Sequence, residues 1–213
     1  STAMTEVALN ANFGIKDRLS TQFFNSGYAT KFACNGGTLT KFCNWYNQKK
    51  VLVPWSNPGG AFLDGVVNPY CTTSLVPLTG ISTTPSYTGV SLQHNAIDTT
   101  QTQAEVIAQI KTFLSQKQAV GFSFWTNFSS VTGSGGFDDF WNNQAESTLW
   151  VNKFENGTWD ADTWGGHMVT LVGYDESDAD PSKHYWIVLN SWGASTGRPA
   201  GLFRMPMQMN YAA

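Results

Sequence analysis

The chain has 213 residues, which is long enough for one large domain or two small lobes whose hydrophobic core needs no disulfide or metal. Its formal net charge is −3 and only 13% of its residues are charged, without any run of Lys or Arg. This composition argues against nucleic acid or an anionic membrane as a partner. No apolar stretch approaches the roughly 20 residues of a membrane-spanning helix, so we expect no membrane span.

Apolar residues at three- and four-residue spacing predict three helices before residue 120. The first covers residues 2 to about 13 and is closed by Gly14, the second follows the Gly36-Gly37 pair, and the third covers residues 102–116. Between residues 53 and 91, the many Pro, Gly, Ser and Thr residues predict irregular loops. The spacing is shown by Met4, Val7, Ala8 and Ala11, by Leu39, Phe42, Cys43 and Tyr46, and by Val106, Ile107, Ile110, Phe113 and Leu114.

Three later apolar runs, rich in β-branched and aromatic residues, predict strands at residues 120–125, 168–174 and 185–190. Between the first and second run, the glycine-rich segment from Gly133 to Gly136 and the residues that follow it, up to Asp139, are predicted to form an exposed loop. The fold class is therefore predicted to be α+β. Residues 1 to about 100 form a mainly helical and loop part, and residues from about 101 to 213 form a β-rich part.

A histidine and an asparagine lie at the ends of two predicted strands. His167 opens one apolar run and Asn190 closes the next, so the two side chains can be neighbours across a hairpin. The amide oxygen could then hold one imidazole nitrogen while the other nitrogen faces a reactive partner, and Trp192 could cover the bond from water. The alternative is that His167 is a hydrogen-bonded core residue and Asn190 a turn former, and the histidine alone favours this second interpretation.

The sequence around these residues resembles the papain-like cysteine peptidases. The matching motifs are HMVTLVGY from His167, YWIVLNSWG up to Gly193, LSTQFF from Leu19, ACNGG over residues 33–37, and Phe203-Arg204-Met205 at the position of the family's closing strand. The resemblance implies a papain-like two-lobe fold, with a helical N-terminal lobe, a β-barrel-like C-terminal lobe and the active site in the cleft between them. It covers essentially all of residues 1–213 as a single peptidase domain, with residues 141–162 and 177–183 looking like insertions.

The resemblance also implies a role for each site residue. His167 acts as base and then as acid, Asn190 orients its ring, and Trp192 shields the pair. The backbone of three glycines pairs with an extended peptide substrate, and these are Gly36, Gly37 and Gly166. We expect a monomer that needs no cofactor and no metal, in a secreted or lysosome-like compartment. Its partners are a peptide or protein substrate and, as further candidates, a pro-segment or a protein inhibitor.

The family's nucleophilic cysteine is not among the residues of this chain. The family places it in a Cys-Trp segment at the start of a long helix, where the helix dipole and the imidazolium lower the thiol pKa. Alignment on Glu6 puts that position roughly four residues before Ser1 in the first helix. We therefore expect a cysteine endopeptidase that acts through a thiolate acyl-enzyme, with the polypeptide from Ser1 inactive by itself. The alternative is a catalytically inactive homologue that has a binding or structural role.

The chain contains Cys34, Cys43 and Cys71, and this odd number leaves at least one thiol without a partner among them. The turn around Cys34 does not suit a nucleophile. The resemblance makes Cys34 the disulfide partner of a residue near the nucleophile, so we expect no partner for it within this chain. Cys43 and Cys71 are either buried thiols or a mutual bridge, and we slightly favour the bridge.

The loop after Trp192 departs from the family pattern. Where the family usually has a second tryptophan, this chain has Ser195-Thr196, and Arg198-Pro199-Ala200 adds one residue before Gly201. The resemblance therefore does not predict the wall of the cleft on the primed side of the substrate.

Overall fold

The computed structural model describes residues 2–28, 37–64, 76–89, 91–127, 136–151 and 164–212. The chain divides into two compact units, Ser1–Ala96 and Ile97–Ala213. This division lies close to the change in character predicted at about residue 100. Each unit has its own hydrophobic core.

The N-terminal unit is built on helices. Helix α1 spans Thr2–Phe13, α2 spans Thr21–Gly27 and α3 spans Leu39–Lys49, followed by a short antiparallel pair, β1 (Val51–Leu52) and β2 (Tyr87–Thr88), and by a 3₁₀ turn between these strands at Leu78–Gly80. The first predicted helix ends as expected, because Gly14 adopts a φ of 69° and its N–H donates to the Asn10 carbonyl at 3.0 Å. The second predicted helix is confirmed as α3.

Helix α2 was not predicted, because seven residues are too few to show a clear apolar period. Its N-terminus is fixed by Ser20, whose hydroxyl accepts from the Phe23 N–H at 2.9 Å and donates to the Gly60 carbonyl at 2.6 Å. Gln22 in the same motif holds the chain at residue 64, because its amide nitrogen donates to the fully buried Asp64 carboxylate at 2.6 Å. The Leu-Ser-x-Gln motif thus has a structural role, joining α2 to a distant loop.

The C-terminal unit contains a four-stranded antiparallel sheet with the order β3-β4-β5-β6. Its elements are α4 (Gln103–Ser115), β3 (Val120–Asn127), α5 (Phe137–Asn143), β4 (Trp164–Asp175), a 3₁₀ turn (Pro181–Lys183), β5 (Tyr185–Leu189) and β6 (Leu202–Pro206). Helix α4 begins with a capping box, in which Thr102 and Glu105 satisfy each other's backbone N–H groups. With helices in both units and this antiparallel sheet, the predicted α+β class is confirmed.

Two predictions in this unit are wrong. The segment after Gly136 was expected to be an exposed loop, but it forms α5, in which Phe137 is fully buried and Phe140 and Trp141 are nearly so. Residues 137, 140 and 141 lie on one face of a helix, which explains their burial. The helix has only seven residues, so its apolar spacing was too short to predict a helix from the sequence. His167 was expected to open its strand, and it is instead the fourth residue of β4, because Gly165 and Gly166 continue the ladder opposite Thr126 and Trp125.

Cys43 carries a free thiol in the buried face of α3, with 4% of its surface exposed. The bridge between Cys43 and Cys71 that we slightly favoured is therefore wrong, and the alternative of a buried thiol holds for Cys43. Cys34 and Cys71 themselves lie outside the described residues, so the prediction that Cys34 has no partner in this chain stays a prediction. Among the helices that the structure describes, none has the length and apolar character needed to cross a membrane.

The C-terminal residues close the core of the second unit through a chain of hydrogen bonds. Trp186 is fully buried, and its indole N–H donates to the Tyr211 hydroxyl at 2.8 Å, which in turn donates to the Met207 carbonyl at 2.8 Å. Burial raises the pKa of Tyr211 to about 12. The folded protein therefore holds the phenol proton at pH values where an unfolded tyrosine, with a pKa of about 10, has lost it.

Replacing Tyr211 by Phe should lower the free energy of unfolding at neutral pH by about 1–3 kcal/mol, because the buried Trp186 N–H loses its acceptor. Because the folded-state pKa is raised, the wild-type protein should also lose stability as the pH rises from about 10 to about 12, and the variant should lose less over this range. Urea unfolding across pH measures both effects. The control is Tyr174→Phe, at a position that is 39% exposed, which should change stability by less than about 0.5 kcal/mol.

Candidate active site

The candidate site is centred on His167 of β4, one of the two inner strands of the sheet. His167 lies opposite Phe124 of β3 in the strand register, and its imidazole contacts the Phe124 ring at 5.6 Å between centroids and the Phe137 ring of α5 at 5.1 Å. The imidazole is therefore half-buried between the sheet and α5. An imidazole in such surroundings keeps a fixed ring orientation, which a proton-transfer group requires.

Asn190 lies directly after β5, beside the strand that carries His167. Its side-chain oxygen Oδ1 is 2.9 Å from Nε2 of His167, and the residue is only 3% exposed. The predicted contact between these two side chains is therefore present. The Asn190 backbone N–H donates to the Gly201 carbonyl at 3.0 Å, which fixes the position of the amide at the end of the strand.

The orientation of the Asn190 amide follows from a second hydrogen bond. The backbone N–H of Ser191 lies 2.8 Å from Oδ1, and because a backbone N–H can only donate, the atom it meets must be the oxygen. An oxygen only accepts, so Nε2 of His167 must carry a proton and donate it. In the neutral imidazole the lone pair is then on Nδ1, which is the nitrogen that can accept a proton from a reactant.

Trp192 lies over this pair. Its ring centroid is 5.1 Å from that of His167, with an angle of 45° between the planes, and 41% of the residue is exposed. Its indole packs edge-on against Phe137 at 5.2 Å and Trp141 at 6.0 Å. The indole thus covers part of the imidazole, and its role as a shield of the His167–Asn190 hydrogen bond stays a prediction.

The surroundings of His167 lower its pKa, with burial as the main cause. The hydrogen bond to Asn190 and the negative charge of Asp138 on α5 both act in the opposite direction and support the protonated ring. The balance favours the neutral imidazole near neutral pH while leaving it partners that stabilise the imidazolium. Such a group can act as a base and then return the proton as an acid.

The three predicted substrate-binding glycines differ in what the structure describes. Gly166 precedes His167 on β4 and is exposed, and a side chain added there would meet no atom within 4 Å. Gly37 is also exposed and lies just before Thr38, the N-cap of α3. Gly36 lies outside the described residues. The peptide-binding role of all three glycines stays a prediction.

Sequence reasoning missed the contribution of α5 to the site. Phe137 contacts both His167 and Trp192, and Asp138 is the charged group that supports the imidazolium. The signal in the sequence was the aromatic spacing at residues 137, 140 and 141, which a search for longer helices overlooks. Within the described residues no group of three or more His, Cys, Asp or Glu side chains is placed to hold a metal ion.

Replacing Asp138 by Asn should lower the pKa of His167 further, because it removes a negative charge that favours the protonated ring. The neighbouring substitution Asp139→Asn is a matched control, since the Asp139 carboxylate accepts from Asn143 within α5 and is not among the groups that shift His167. An NMR titration of the His167 ring protons measures both variants. Equal shifts in the two variants, or a raised pKa in Asp138→Asn, would contradict this assignment.

Comparison with known proteins agrees with the site geometry. The sequence model of the papain family cysteine proteases matches residues 144–212, which include His167, Asn190 and Trp192. No curated protein matches this chain.

Among solved structures, the chain is similar to a digestive procathepsin L2 proteinase from Tenebrio molitor larval midgut. The identity is 15% and the TM-score is 0.49, over 97% of this chain and 53% of that one. This chain thus spans about half the length of that structure. The resemblance to the papain-like cysteine peptidases is confirmed over residues 144–212, the segment that carries the candidate catalytic pair.

Proposed function

We propose that this chain carries the histidine-bearing part of a cysteine endopeptidase. The observation that carries the proposal is the 2.9 Å hydrogen bond from His167 to Asn190 inside the segment that matches the papain family. His167 is the catalytic base and acid, Asn190 is its orienting partner and Trp192 is the shield. The nucleophile is a cysteine upstream of Ser1, at the N-terminal side of α1.

The reaction begins with transfer of the thiol proton to Nδ1 of His167. The thiolate then attacks the peptide carbonyl carbon and forms a carbon–sulfur bond, and the carbonyl oxygen takes up the displaced electron pair. As the tetrahedral intermediate collapses, the carbon–nitrogen bond breaks and the imidazolium gives its proton to the leaving amine. Water, deprotonated by the same nitrogen, then hydrolyses the thioester, which releases the carboxylic acid and restores the thiol.

The environment of His167 suits both halves of this cycle. Burial lowers its pKa and keeps the ring neutral and ready to accept a proton. Once protonated, the ring donates to Asn190 and lies near Asp138, so the imidazolium is stabilised when it forms a pair with the thiolate. Because Trp192 limits the access of water, these interactions act in a medium of lower polarity and are stronger than they would be in water.

Cys43 does not fit the role of nucleophile. It lies in α3 with 4% exposure, and burial raises the pKa of its thiol, which disfavours the reactive thiolate. This supports a nucleophile upstream of Ser1. Labelling of the reactive cysteine distinguishes this upstream nucleophile from Cys34 and Cys71.

The substrate is a peptide or an unfolded protein in extended conformation. Gly166 supports this, because its exposed backbone next to His167 can form the hydrogen bonds of an added strand. Gly36 and Gly37 are assigned the same role in the N-terminal unit. The proposal further places the protein in a secreted or lysosome-like compartment, as a monomer with a pro-segment or a protein inhibitor as further candidate partners.

The proposal predicts a single reactive cysteine in the full-length encoded protein. A thiol-directed epoxide should label it once, at a position before Ser1, and the labelled protein should no longer cleave an unfolded protein. Replacing His167 by Ala should lower kcat/KM by several orders of magnitude, on the order of 10³ or more, because the thiol loses both its base and its ion-pair partner. Peptide mapping by mass spectrometry and initial-rate kinetics measure these effects.

The matched control is His94→Ala, at an exposed histidine that contacts Thr40 in the N-terminal unit, and it should retain wild-type kinetics. Equal activity in the full-length protein and in the polypeptide from Ser1 would show that the nucleophile is one of Cys34, Cys43 and Cys71. Absence of both labelling and cleavage in the full-length protein would instead favour the inactive homologue with a binding or structural role.

A further inference from the structure

A fully buried arginine lies in the loop between β5 and β6. Arg198 has 0% of its surface exposed, although its guanidinium cannot lose its charge in the physiological range. The charge of Glu146 supports the protonated guanidinium, but among the described residues its hydrogen-bond acceptors are four backbone carbonyls. They are those of Trp141 at 3.0 Å from Nε, Phe140 and Gln144, each at 3.1 Å from Nη2, and Leu202 at 3.0 Å from Nη1.

Three of these carbonyls lie at the C-terminal end of α5. The oxygens of Phe140 and Trp141 belong to the last turn of the helix, and that of Gln144 lies just beyond it. Carbonyls at a helix C-terminus carry partial negative charge, so a cation is stabilised there. The guanidinium also lies over the rings of Phe140 and Trp141, at 4.6 Å and 4.9 Å from their centroids. Arg198 thus acts as the cap of α5 and fixes the face that carries its aromatic residues.

The backbone of Arg198 holds the loop that contains Trp192. Its N–H and carbonyl form a pair of 3.0 Å hydrogen bonds with Ser195, and its carbonyl also accepts from the Gly201 N–H at 3.0 Å. The two limbs of the loop come close at Gly201, where a side chain would lie 3.2 Å from the Gly193 carbonyl oxygen. Gly193 and Gly201 both have positive φ, at 86° and 67°, so the loop requires glycine at these positions.

Arg198 therefore binds both of the elements that hold Trp192, which are the β5–β6 loop and α5. The Trp192 backbone belongs to the loop that Arg198 closes, and its indole packs on Phe137 and Trp141 of the helix that Arg198 caps. The same indole also contacts the His167 ring, at 5.1 Å between centroids. Displacement of either α5 or the loop would move the indole relative to the imidazole.

We propose that Arg198 is a positioning residue of the candidate active site, which couples α5 to the β5–β6 loop and so holds Trp192 over the His167–Asn190 hydrogen bond. Its contribution to catalysis rests on the function proposed above, whereas the coupling itself is a property of the fold.

The geometry requires arginine rather than any cation. The four carbonyls lie around a planar group that presents donors in several fixed directions, whereas a lysine offers one point charge at the end of a flexible chain. Arg198→Lys should therefore preserve only part of the coupling, and Arg198→Met should lose it. Arg204→Met is a matched control, because Arg204 lies on β6 of the same sheet with its guanidinium over the Tyr185 ring, at 4.5 Å from the centroid.

The test measures solvent exchange of the His167 Nε2 proton by NMR in the full-length encoded protein, which needs no turnover. We expect exchange to be about tenfold faster or more in Arg198→Met, intermediate in Arg198→Lys, and within about twofold of wild type in Arg204→Met. The acid limb of the pH profile of kcat/KM should move to higher pH in Arg198→Met. Burial is the main cause that lowers the pKa of His167, so loss of the shield raises that pKa towards its ordinary value.

A double-mutant cycle with Trp192→Phe decides whether Arg198 acts through Trp192. In the Trp192→Phe background, Arg198→Met should add little to the exchange rate, because the two residues act as one unit. Additive effects, or unchanged exchange in both Arg198 variants, would overturn the proposal. If circular dichroism shows that Arg198→Met does not fold, the double-mutant cycle is measured with Arg198→Lys instead. If the coupling is found in a protein without peptidase activity, then the proposed function fails and the positioning role of Arg198 in the fold does not.

Discussion

One amide oxygen sets the protonation of the site. Oδ1 of Asn190 accepts from the Ser191 backbone N–H at 2.8 Å and from Nε2 of His167 at 2.9 Å. The bond from Ser191 identifies this atom as the oxygen, and the oxygen in turn requires the His167 proton to be on Nε2. If the amide were flipped, its NH₂ group would face the Ser191 N–H, and two donors would meet without an acceptor. The present orientation satisfies both donors with one oxygen, and it defines the histidine tautomer.

The aromatic shell makes this defined tautomer useful. Phe124 and Phe137 bury the imidazole and lower its pKa, which keeps the ring neutral, while Trp192 packs against the same ring. Too much burial would prevent protonation of the ring altogether. Asp138 and Asn190 oppose the effect of burial, so both protonation states remain accessible. The chemistry proposed for the site depends on this balance more than on any single contact.

The sequence predicted the site where it had a local signature and failed where the structure depended on distant packing. The pairing of His167 with Asn190 was predicted from the two apolar runs together with the resemblance to the papain-like peptidases, and the capped helix over Gln103–Ser115 follows from its period. Helix α5 was missed, because its seven residues become helical through burial of one aromatic face and through the cap that Arg198 provides from 57 residues away. Burial of an arginine by backbone carbonyls leaves no pattern in the sequence, since its partners are peptide groups rather than particular side chains.

The central claim is that His167 presents Nδ1 to the reacting thiol because Asn190 holds the proton on Nε2. Nitrogen-15 NMR of the imidazole, at a pH above the His167 pKa, tests this claim directly, because it distinguishes a protonated from an unprotonated ring nitrogen. The account predicts a single tautomer with the proton on Nε2, which is lost as the dominant form in Asn190→Ala. A dominant tautomer with the proton on Nδ1 in the wild-type protein would contradict it, since that nitrogen could not then act as the base.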